Sequence, residues 1–402
     1  MSYRANYQRD SLHISDVFDG HQYWNLLSET VTIDGVPCNH RFFSEARDVA
    51  IGMMMDGFQI FKRARGGTAS CWPIIGINLN LPPEIRTHLS HIIPIGLIAG
   101  PDSPAKDFNS YLRPFIDECK LLARGVRAFD AISDSGFDLH IYPISIHGDI
   151  QAIKHATNLK GPNSMCPCRA CRIAAIRDTK VPASTYYVPL RQPKKPGTED
   201  LTWDPYNLPL RADAEYHEQI REIQAETAVG RRKALCQEYG ITGECDLLEI
   251  PSIRLSSSFP HDWMHLFLEN HCKNLILLWT GRYKGLSEGR EDYRIRDAIW
   301  ETIGKETAAC GATIPSAFSR RTPNIATEKR NFTAEDWMFW FVHIAPHVLN
   351  GRFPREKYYK HFMKLNNIMK ICLQYSISRD EVLQLRSLIV DYVHEYEKYG
   401  II

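Results

Sequence analysis

Asp56 and Asp149 are the residues of this chain best suited to metal-dependent phosphoryl chemistry. Each follows a strongly apolar run and stands beside a glycine. Two-metal phosphoryl transfer needs converging carboxylates that hold divalent ions about 3.5–4 Å apart, and Mg²⁺ prefers such hard oxygen ligands. A carboxylate at the end of a buried strand is costly unless it binds a cation or a hydrogen-bond donor. The alternative interpretation is an ordinary aspartate that caps a turn or helix next to a glycine.

Cys168 and Cys171 have the spacing of a zinc knuckle, because two thiolates two residues apart can reach one tetrahedral ion. A structural zinc needs four ligands, and the chain has no second CxxC. His261 and His265 are the best completing pair, since residues four apart lie on one face of a helix. A redox function is an alternative for the cysteines, although their Pro-containing loop is not the usual setting. The histidines have the alternative of being exposed polar residues on a helix.

Acidic side chains accompany the histidines. On a helix predicted from Pro260 to Trp279, the residues Asp262, His265 and Glu269 share a face, and Leu266 belongs to the opposite, mostly apolar stripe. This arrangement would place a carboxylate beside both a zinc and a magnesium site. A solvated acidic face explains the two acids equally well.

The segments that must position the two aspartates have the pattern of an α/β core. Short apolar runs bounded by Gly, Pro and Asn indicate buried strands, and apolar residues at helical spacing follow from Asp107. Three strands, a helix and a strand is the order of a ribonuclease-H-like core, which would put Asp56 and Asp149 at adjacent strand ends. The predicted strands are 49–56, 72–79, 92–100 and 137–149, and the helix covers about 107–122.

The remainder of the chain is predicted to be mainly helical. We expect an α/β fold with a ribonuclease-H-like core, a zinc-binding insertion and a helical C-terminal half. The predicted divisions are an adaptor at 1–48, the core with the Cys cluster at 49–190, an insertion or linker at 191–255 and a helical region at 256–402. Helices are predicted at about 17–27, 212–240, 260–279, 333–349 and 379–399.

Composition sets limits on the class of protein. With 402 residues and 44% hydrophobic content, the chain can bury a large core, so disorder is not expected. Lys plus Arg number 48 against 47 for Asp plus Glu, so any nucleic-acid surface must be a local patch. The 11 cysteines are mostly scattered singly, which indicates reduced thiols. No apolar stretch long enough for a membrane span and no signal peptide are present, which predicts an intracellular protein without a membrane partner.

Several motifs together resemble the Tnp2 transposase family of CACTA (En/Spm-type) DNA transposons, in the form closest to the fungal branch. The similarity covers roughly residues 15–360. The motifs are Asp56-Gly57-Phe58, the stretch from Trp72-Pro73 to Glu84, Ala99-Gly100-Pro101, Tyr111-Leu112-Arg113-Pro114-Phe115, His147-Gly148-Asp149-Ile150, Pro167-Cys168-Arg169-Ala170-Cys171, Asp262-Trp263-Met264-His265 and Glu269-Asn270.

The resemblance implies a DDE/D recombinase that uses Mg²⁺ or Mn²⁺ to cut and join DNA at transposon ends. Asp56 and Asp149 match the first two acidic positions of the family. Glu269 is the preferred third acid, because it matches the Glu after the Met-His element. Glu335 is the main alternative for that position, with Asp336 and Asp262 as further candidates.

The same resemblance bears on zinc, partners and location. The catalytic core of the V(D)J recombinase has a similar order of Asp, CxxC, His pair and Glu, which supports Cys168, Cys171, His261 and His265 as ligands of a structural Zn²⁺. The implied partners are transposon ends and target DNA, and the implied active form is a homo-oligomer in the nucleus.

The chain also departs from the family pattern. CACTA transposases carry additional DNA-recognition regions, and nothing in this sequence resembles a zinc-finger array or a helix-turn-helix. A second hypothesis is therefore an inactive or domesticated transposon-derived module that keeps the fold and the zinc site and acts through DNA or protein contacts.

Overall fold

The chain divides into two compact units. The described residues up to Asp262 form the first unit, and those from Trp263 form the second. None of the described helices is long and apolar enough to cross a membrane. The computed structural model describes residues 2–59, 70–100, 107–162, 164–176, 187–192, 202–283 and 291–399.

The strands are concentrated in the first half of the chain. This agrees with the apolar, Gly- and Pro-bounded runs found there. The described strands are β1 (His13–Ile14), β2 (Thr30–Ile33), β3 (Val36–Arg41), β4 (Val49–Met55), β5 (Phe58–Gln59), β6 (Ser70–Asn78), β7 (Ile92–Gly100), β8 (Val126–Asp130), β9 (Ser135–Leu139), β10 (Ile141–His147) and β11 (Ile377–Ser378).

The central sheet of the first unit mixes parallel and antiparallel pairs. Its strands lie in the order β10, β4, β6, β7, and β5 forms a short pair with β6. β4 and β7 run antiparallel to β6, whereas β10 runs parallel to β4. All residues of β4 except Met54 are buried, as expected for a strand covered on both faces. Because β4 and β10 are parallel, their carboxyl ends meet at the same edge of the sheet.

Helices cover the sheet and form most of the second unit. In α4 the residues Leu112, Ile116, Cys119 and Ala123 are buried, which is the single apolar face that the sequence predicts. The described α-helices are α1 (Tyr3–Asn6), α2 (His21–Ser28), α3 (Pro83–Arg86), α4 (Asn109–Arg124), α5 (Ile150–Thr157), α6 (Asp213–Ala225), α7 (Val229–Tyr239), α8 (Lys273–Trp279), α9 (Asp297–Cys310), α10 (Ala334–Phe339), α11 (Ala345–Val348), α12 (Glu356–Cys372) and α13 (Arg379–Lys398).

The second unit has its own aromatic core. Trp340, Phe341 and Phe362 are fully buried there together with Leu365. Two of its helical segments, Met264–Cys272 and Trp340–Ile344, are π-helical.

Two helices of the second unit begin where the sequence predicts. Thr333 caps α10 and forms a capping box with Asp336. Ser378 caps α13 and forms a capping box with Glu381. Each box satisfies backbone N–H groups that have no partner within the helix. The local sequence therefore determines where these helices begin.

Other predicted elements are interrupted. The strand predicted over 137–149 is two strands separated by His140, and β9 pairs with β8 in a separate hairpin. The helix predicted over 212–240 divides into α6 and α7, because Glu226 turns to accept the N–H of Ala228. The helix predicted near 17–27 is broken at Gly20, whose backbone is extended.

The helix predicted from Pro260 begins later. Its first residue is Met264, so His261 and Asp262 precede it. The prediction that His261 and His265 lie one turn apart on a helical face is therefore wrong. A π-helix also makes i→i+5 hydrogen bonds, so its faces do not follow the α-helical spacing. As a result Leu266, predicted to be in the core, is 49% exposed, whereas Leu268 is buried.

Candidate metal and catalytic site

Asp56 and Asp149 lie side by side at the edge of the central sheet. In the β4–β10 pair, His147 is opposite Met54, and each aspartate comes two residues after its strand's member of that pair. One carboxylate oxygen of each aspartate lies within 4.8 Å of the other. The structure thus confirms that the two residues occupy adjacent strand ends.

The glycines beside the acids allow this close approach. A Cβ atom at Gly148 would lie 2.9 Å from the carbonyl oxygen of Met55 and 2.9 Å from Cβ of Ala152. A Cβ atom at Gly57 would lie 2.5 Å from the indole ring of Trp72. Real side chains do not pack at such distances, so both positions need a residue without a side chain.

Local hydrogen bonds fix the orientation of both carboxylates. Oδ1 of Asp56 accepts the N–H of Gly57 at 2.7 Å. Oδ1 of Asp149 accepts the N–H of Ala152 at 2.6 Å and so caps α5. Asp149 is thus a helix cap, as the alternative interpretation predicts. That bond involves one of its two oxygens, and a carboxylate can cap a helix and also bind a cation.

The donor set of this pair fits a hard divalent cation. Two oxygens on one Mg²⁺ with bonds of about 2.0–2.1 Å are at most about 4.2 Å apart, which a small side-chain rotation reaches from the observed spacing. Asp56 is exposed and Asp149 is half-buried. Two like charges at this distance repel each other, so a cation between them would relieve an unfavourable interaction.

Cys168 contacts two of the other three predicted zinc ligands in the first unit. The thiol of Cys168 forms hydrogen bonds with the side chains of Cys171 and His261. Its sulfur also accepts the N–H groups of Ala170 and Cys171 at 3.3 and 3.4 Å. The bond from Cys171, followed by that from His261, lowers the pKa of Cys168, whereas the pKa of Cys171 is raised. A thiolate held in this way is the form that binds a metal.

Arg211 holds the cysteine loop from inside. This buried residue donates from Nε to the carbonyl oxygen of Cys168 at 3.1 Å and from Nη1 to that of Tyr239 at 3.0 Å. Its Nη2 donates to the sulfur of Cys166 at 3.4 Å. Gly240, with a φ of +69°, is needed because a Cβ there would lie 2.3 Å from the carbonyl oxygen of Cys166. The loop is therefore shaped by protein contacts as well as by any metal.

The side chains of His147, Arg169 and Asp262 interact electrostatically with one another, and Arg169 also interacts with Asp149. The charges of Asp149 and Asp262 both act on the guanidinium of Arg169, and they oppose the effect of burial, which lowers its pKa. Burial also lowers the pKa of His147, against the opposing charge of Asp262. Nε2 of His147 lies 2.9 Å from the hydroxyl of Ser145. Asp262 thus shares a charged neighbour with Asp149.

The other predicted ligands and acids belong to the second unit. His265 and Glu269 are half-buried on the π-helical segment, where Glu269 forms an ion pair with Lys273. Glu335 is exposed in the first turn of α10. Asp336 is fully buried and accepts hydrogen bonds from Thr333 and Arg320. Its carboxylate is engaged in holding α10, which is a structural function.

Sequence reasoning missed Arg169, His147 and Arg211. Arg169 stands inside the CxxC motif, and His147 stands two residues before Asp149, so their nearness to candidate ligands was the available signal. Arg211 lies 40 residues after Cys171 along the chain, and only folding brings it to the cysteine loop.

Part of the chain is similar to a known protein family. Residues 32–188 match a family model described as "Transposase family tnp2". The matched segment contains Asp56, Asp149, Cys168 and Cys171, and it ends before His261. A search of curated proteins gave no match.

Proposed function

We propose that this chain is the catalytic core of a DDE/D transposase of the CACTA type, in its fungal branch. The observation that carries the proposal is the convergence of Asp56 and Asp149 on parallel strand ends, inside the segment that matches the transposase family. The strand order β7, β6, β4, β10, with α4 between β7 and β10 in the chain, supports a ribonuclease-H-like core.

The proposed reaction is cleavage of a phosphodiester at a transposon end, followed by strand transfer into target DNA. When bound, Mg²⁺ or Mn²⁺ would activate the attacking oxygen and stabilise the leaving oxygen. Asp56 and Asp149 supply the oxygen ligands, and the backbone bonds to Gly57 and Ala152 hold those ligands in place. Fixed ligands cost little reorganisation as charge develops at the phosphate.

For the third acid we propose Asp262. It acts on Arg169 together with Asp149, and it lies in the same unit as the aspartate pair. Glu269, the choice from the motif order, has Lys273 as its ion-pair partner, and Glu335 is exposed at a helix start. Glu269 and Glu335 are therefore tested alongside Asp262 in the nicking assay.

A structural Zn²⁺ is part of the proposal. Cys168, Cys171 and His261 would provide thiolate and imidazole ligands, and the sequence pattern alone proposes His265 as the fourth. The zinc would hold the cysteine loop against the segment before Met264. We further propose DNA as the partner, a homo-oligomer as the active form and the nucleus as the location. Sedimentation with transposon-end DNA tests the oligomeric state, and a fluorescent fusion tests the nuclear location.

Nicking of supercoiled plasmid by the purified chain tests the proposal. We expect Mg²⁺- or Mn²⁺-dependent conversion to the nicked form, and its loss in Asp56→Asn. Activity in EDTA, or equal activity in Asp56→Asn, would refute catalysis by this site.

The third acid is tested in the same assay with Asp262→Asn, Glu269→Gln and Glu335→Gln. We expect Asp262→Asn to lose activity as completely as Asp56→Asn, while the two Gln variants keep most of it. Loss confined to one of the Gln variants reassigns the third acid to that residue.

The second candidate is a non-catalytic module that keeps the fold and the zinc site. The capping bond from Asp149 to Ala152 favours it, because that bond gives the aspartate a structural function without metal. Such a protein would contain zinc and bind DNA but would not nick it under any divalent cation.

A further inference from the structure

Arg169 belongs to the CxxC motif by sequence, and the charge of Asp149, one of the aspartate pair, also acts on it. Its Nη1 donates to the carbonyl oxygen of Pro260 at 3.2 Å, two residues before Asp262. The negative charges of Cys168, Asp262 and Asp149 all act on its guanidinium. The side chain therefore links the cysteine loop to the segment that precedes Asp262.

The guanidinium has hydrogen-bonding capacity that the described residues leave unused. It carries five N–H donors, and within the described part of the chain the bond to Pro260 is the hydrogen bond that it makes. The hydrogen bond to Pro260 is exposed, so the remaining donors face solvent and are open to a ligand. An anion that displaces water from these donors forms charge-assisted hydrogen bonds with the guanidinium.

We infer that Arg169 binds a non-bridging oxygen of the phosphodiester that the aspartate pair is proposed to cleave. This inference rests on the proposed function. A guanidinium matches the paired oxygens of a phosphate in geometry and charge. The carboxylates alone would repel DNA, so a cation fixed next to them allows the phosphate to approach.

Arg172 provides a matched control from the same loop. It follows Cys171 directly, it is exposed, and its Nη1 pairs with Oε1 of Glu215 at 2.8 Å. Removing its charge alters the net charge of the loop by the same amount as removing that of Arg169. If Arg169 makes a specific contact, its neutral variant should therefore bind DNA more weakly than the neutral variant of Arg172.

Binding of a labelled DNA duplex, measured by fluorescence anisotropy with Ca²⁺ in place of Mg²⁺ over a range of salt, tests the inference without requiring cleavage. We expect Arg169→Gln to weaken binding about tenfold and to reduce the salt slope by about 0.9, the value for one lost phosphate contact. Arg169→Lys should keep the slope, because it keeps the charge. Arg172→Gln should bind within about twofold of the unsubstituted protein.

Zinc content and circular dichroism check that the variants are folded. If Arg169→Gln is unfolded, Arg169→Met, which preserves length and packing, replaces it. An unchanged slope in the folded neutral variant, or an equal loss in Arg172→Gln, would overturn the inference.

The outcomes also separate this inference from the proposed function. If the unsubstituted protein nicks DNA and Arg169→Gln has an unchanged salt slope, the contact by Arg169 is refuted but catalysis is not. A reduced slope in a protein that never nicks would support the contact and refute catalysis. Absence of DNA binding by the unsubstituted protein would overturn both.

Discussion

Asp149 and Asp336 both stand at helix starts, but their surroundings are opposite. Asp336 is fully buried, and hydrogen bonds from Thr333 and an ion pair with Arg320 satisfy its carboxylate. Asp149 is half-buried, caps α5 through Oδ1, and has a carboxylate oxygen of Asp56 within 4.8 Å. The first acid is surrounded by donors and the second faces another acid.

This difference indicates what each helix start is for. A carboxylate whose neighbours are donors is stabilised as an anion and adds to the stability of the fold. A carboxylate placed beside a second carboxylate is destabilised in the absence of a cation. Stability experiments and cleavage experiments should therefore give opposite results for the two residues.

The largest expected effect is that of Asp149→Asn on DNA cleavage. We expect a loss of about 10³- to 10⁴-fold, because one anionic ligand of the proposed metal site is removed. Asparagine also caps helices well, so the melting temperature without metal should stay level or rise as the repulsion from Asp56 is relieved. Plasmid nicking and thermal melting measure the two quantities. Cleavage at the original rate would remove Asp149 from the site.

Loss of zinc should have the next largest effect. In Cys168→Ser we expect no bound zinc and a fall in the free energy of unfolding on the order of 3 kcal/mol, because structural metal binding contributes directly to folding. Metal analysis and urea denaturation test this. Cys236→Ser, a substitution of a half-buried cysteine outside the cluster, is the control. Equal zinc content in both variants would contradict the site.

Asp336→Asn should lower stability by about 1–3 kcal/mol and leave cleavage unchanged, because it breaks a charged hydrogen-bond network. Burial alone would raise the pKa of Asp336, but the bonds from Arg320 and Thr333 outweigh burial and hold the pKa below its usual value. The contribution is thus complete above about pH 4 and is lost as the pH falls through the pKa of the folded state. Urea denaturation at pH 7 and pH 3 should show the difference between variant and parent shrinking at pH 3. A constant difference would contradict this explanation.

Gly148→Ala should affect stability about as much as Asp336→Asn does, and it should also slow cleavage. The added methyl group would press on Met55 and Ala152, which we expect to cost about 1–3 kcal/mol and to slow nicking about tenfold by displacing Asp149. Gly230→Ala is the control, because a Cβ there meets no atom within 4 Å and α7 should gain slightly in stability. Equal behaviour of the two variants in melting and nicking would show that the strand ends are not closely fitted.

The sequence was sufficient to predict the placement of Asp56 and Asp149. Their apolar runs end abruptly, as buried strands do, and the predicted order of three strands, a helix and a strand places these two strand ends side by side. The starts of α10 and α13 were also predictable, because capping boxes act within a few residues. These are all features whose causes are local or periodic in the chain.

The arrangement of His261 was not predictable in the same way. Its helix begins only after Asp262 and is then π-helical, and a pattern search based on α-helical spacing does not contain that geometry. The cysteine loop depends on Arg211, and Arg169 acquires its surroundings only when Pro260 folds against it. Contacts between distant parts of the chain leave no periodic signal in the sequence.

The hairpin of β8 and β9 lies between the two aspartates in the chain and outside the central sheet. Near its tip, Ile132 is 97% exposed. The register of β4 with β10 sets the spacing of the acids, so extra residues at this tip would lengthen the chain between them without moving either one. We therefore expect the hairpin tip to tolerate inserted residues. In related proteins, the number of residues separating the two acids should be a poor guide to whether their chemistry has changed.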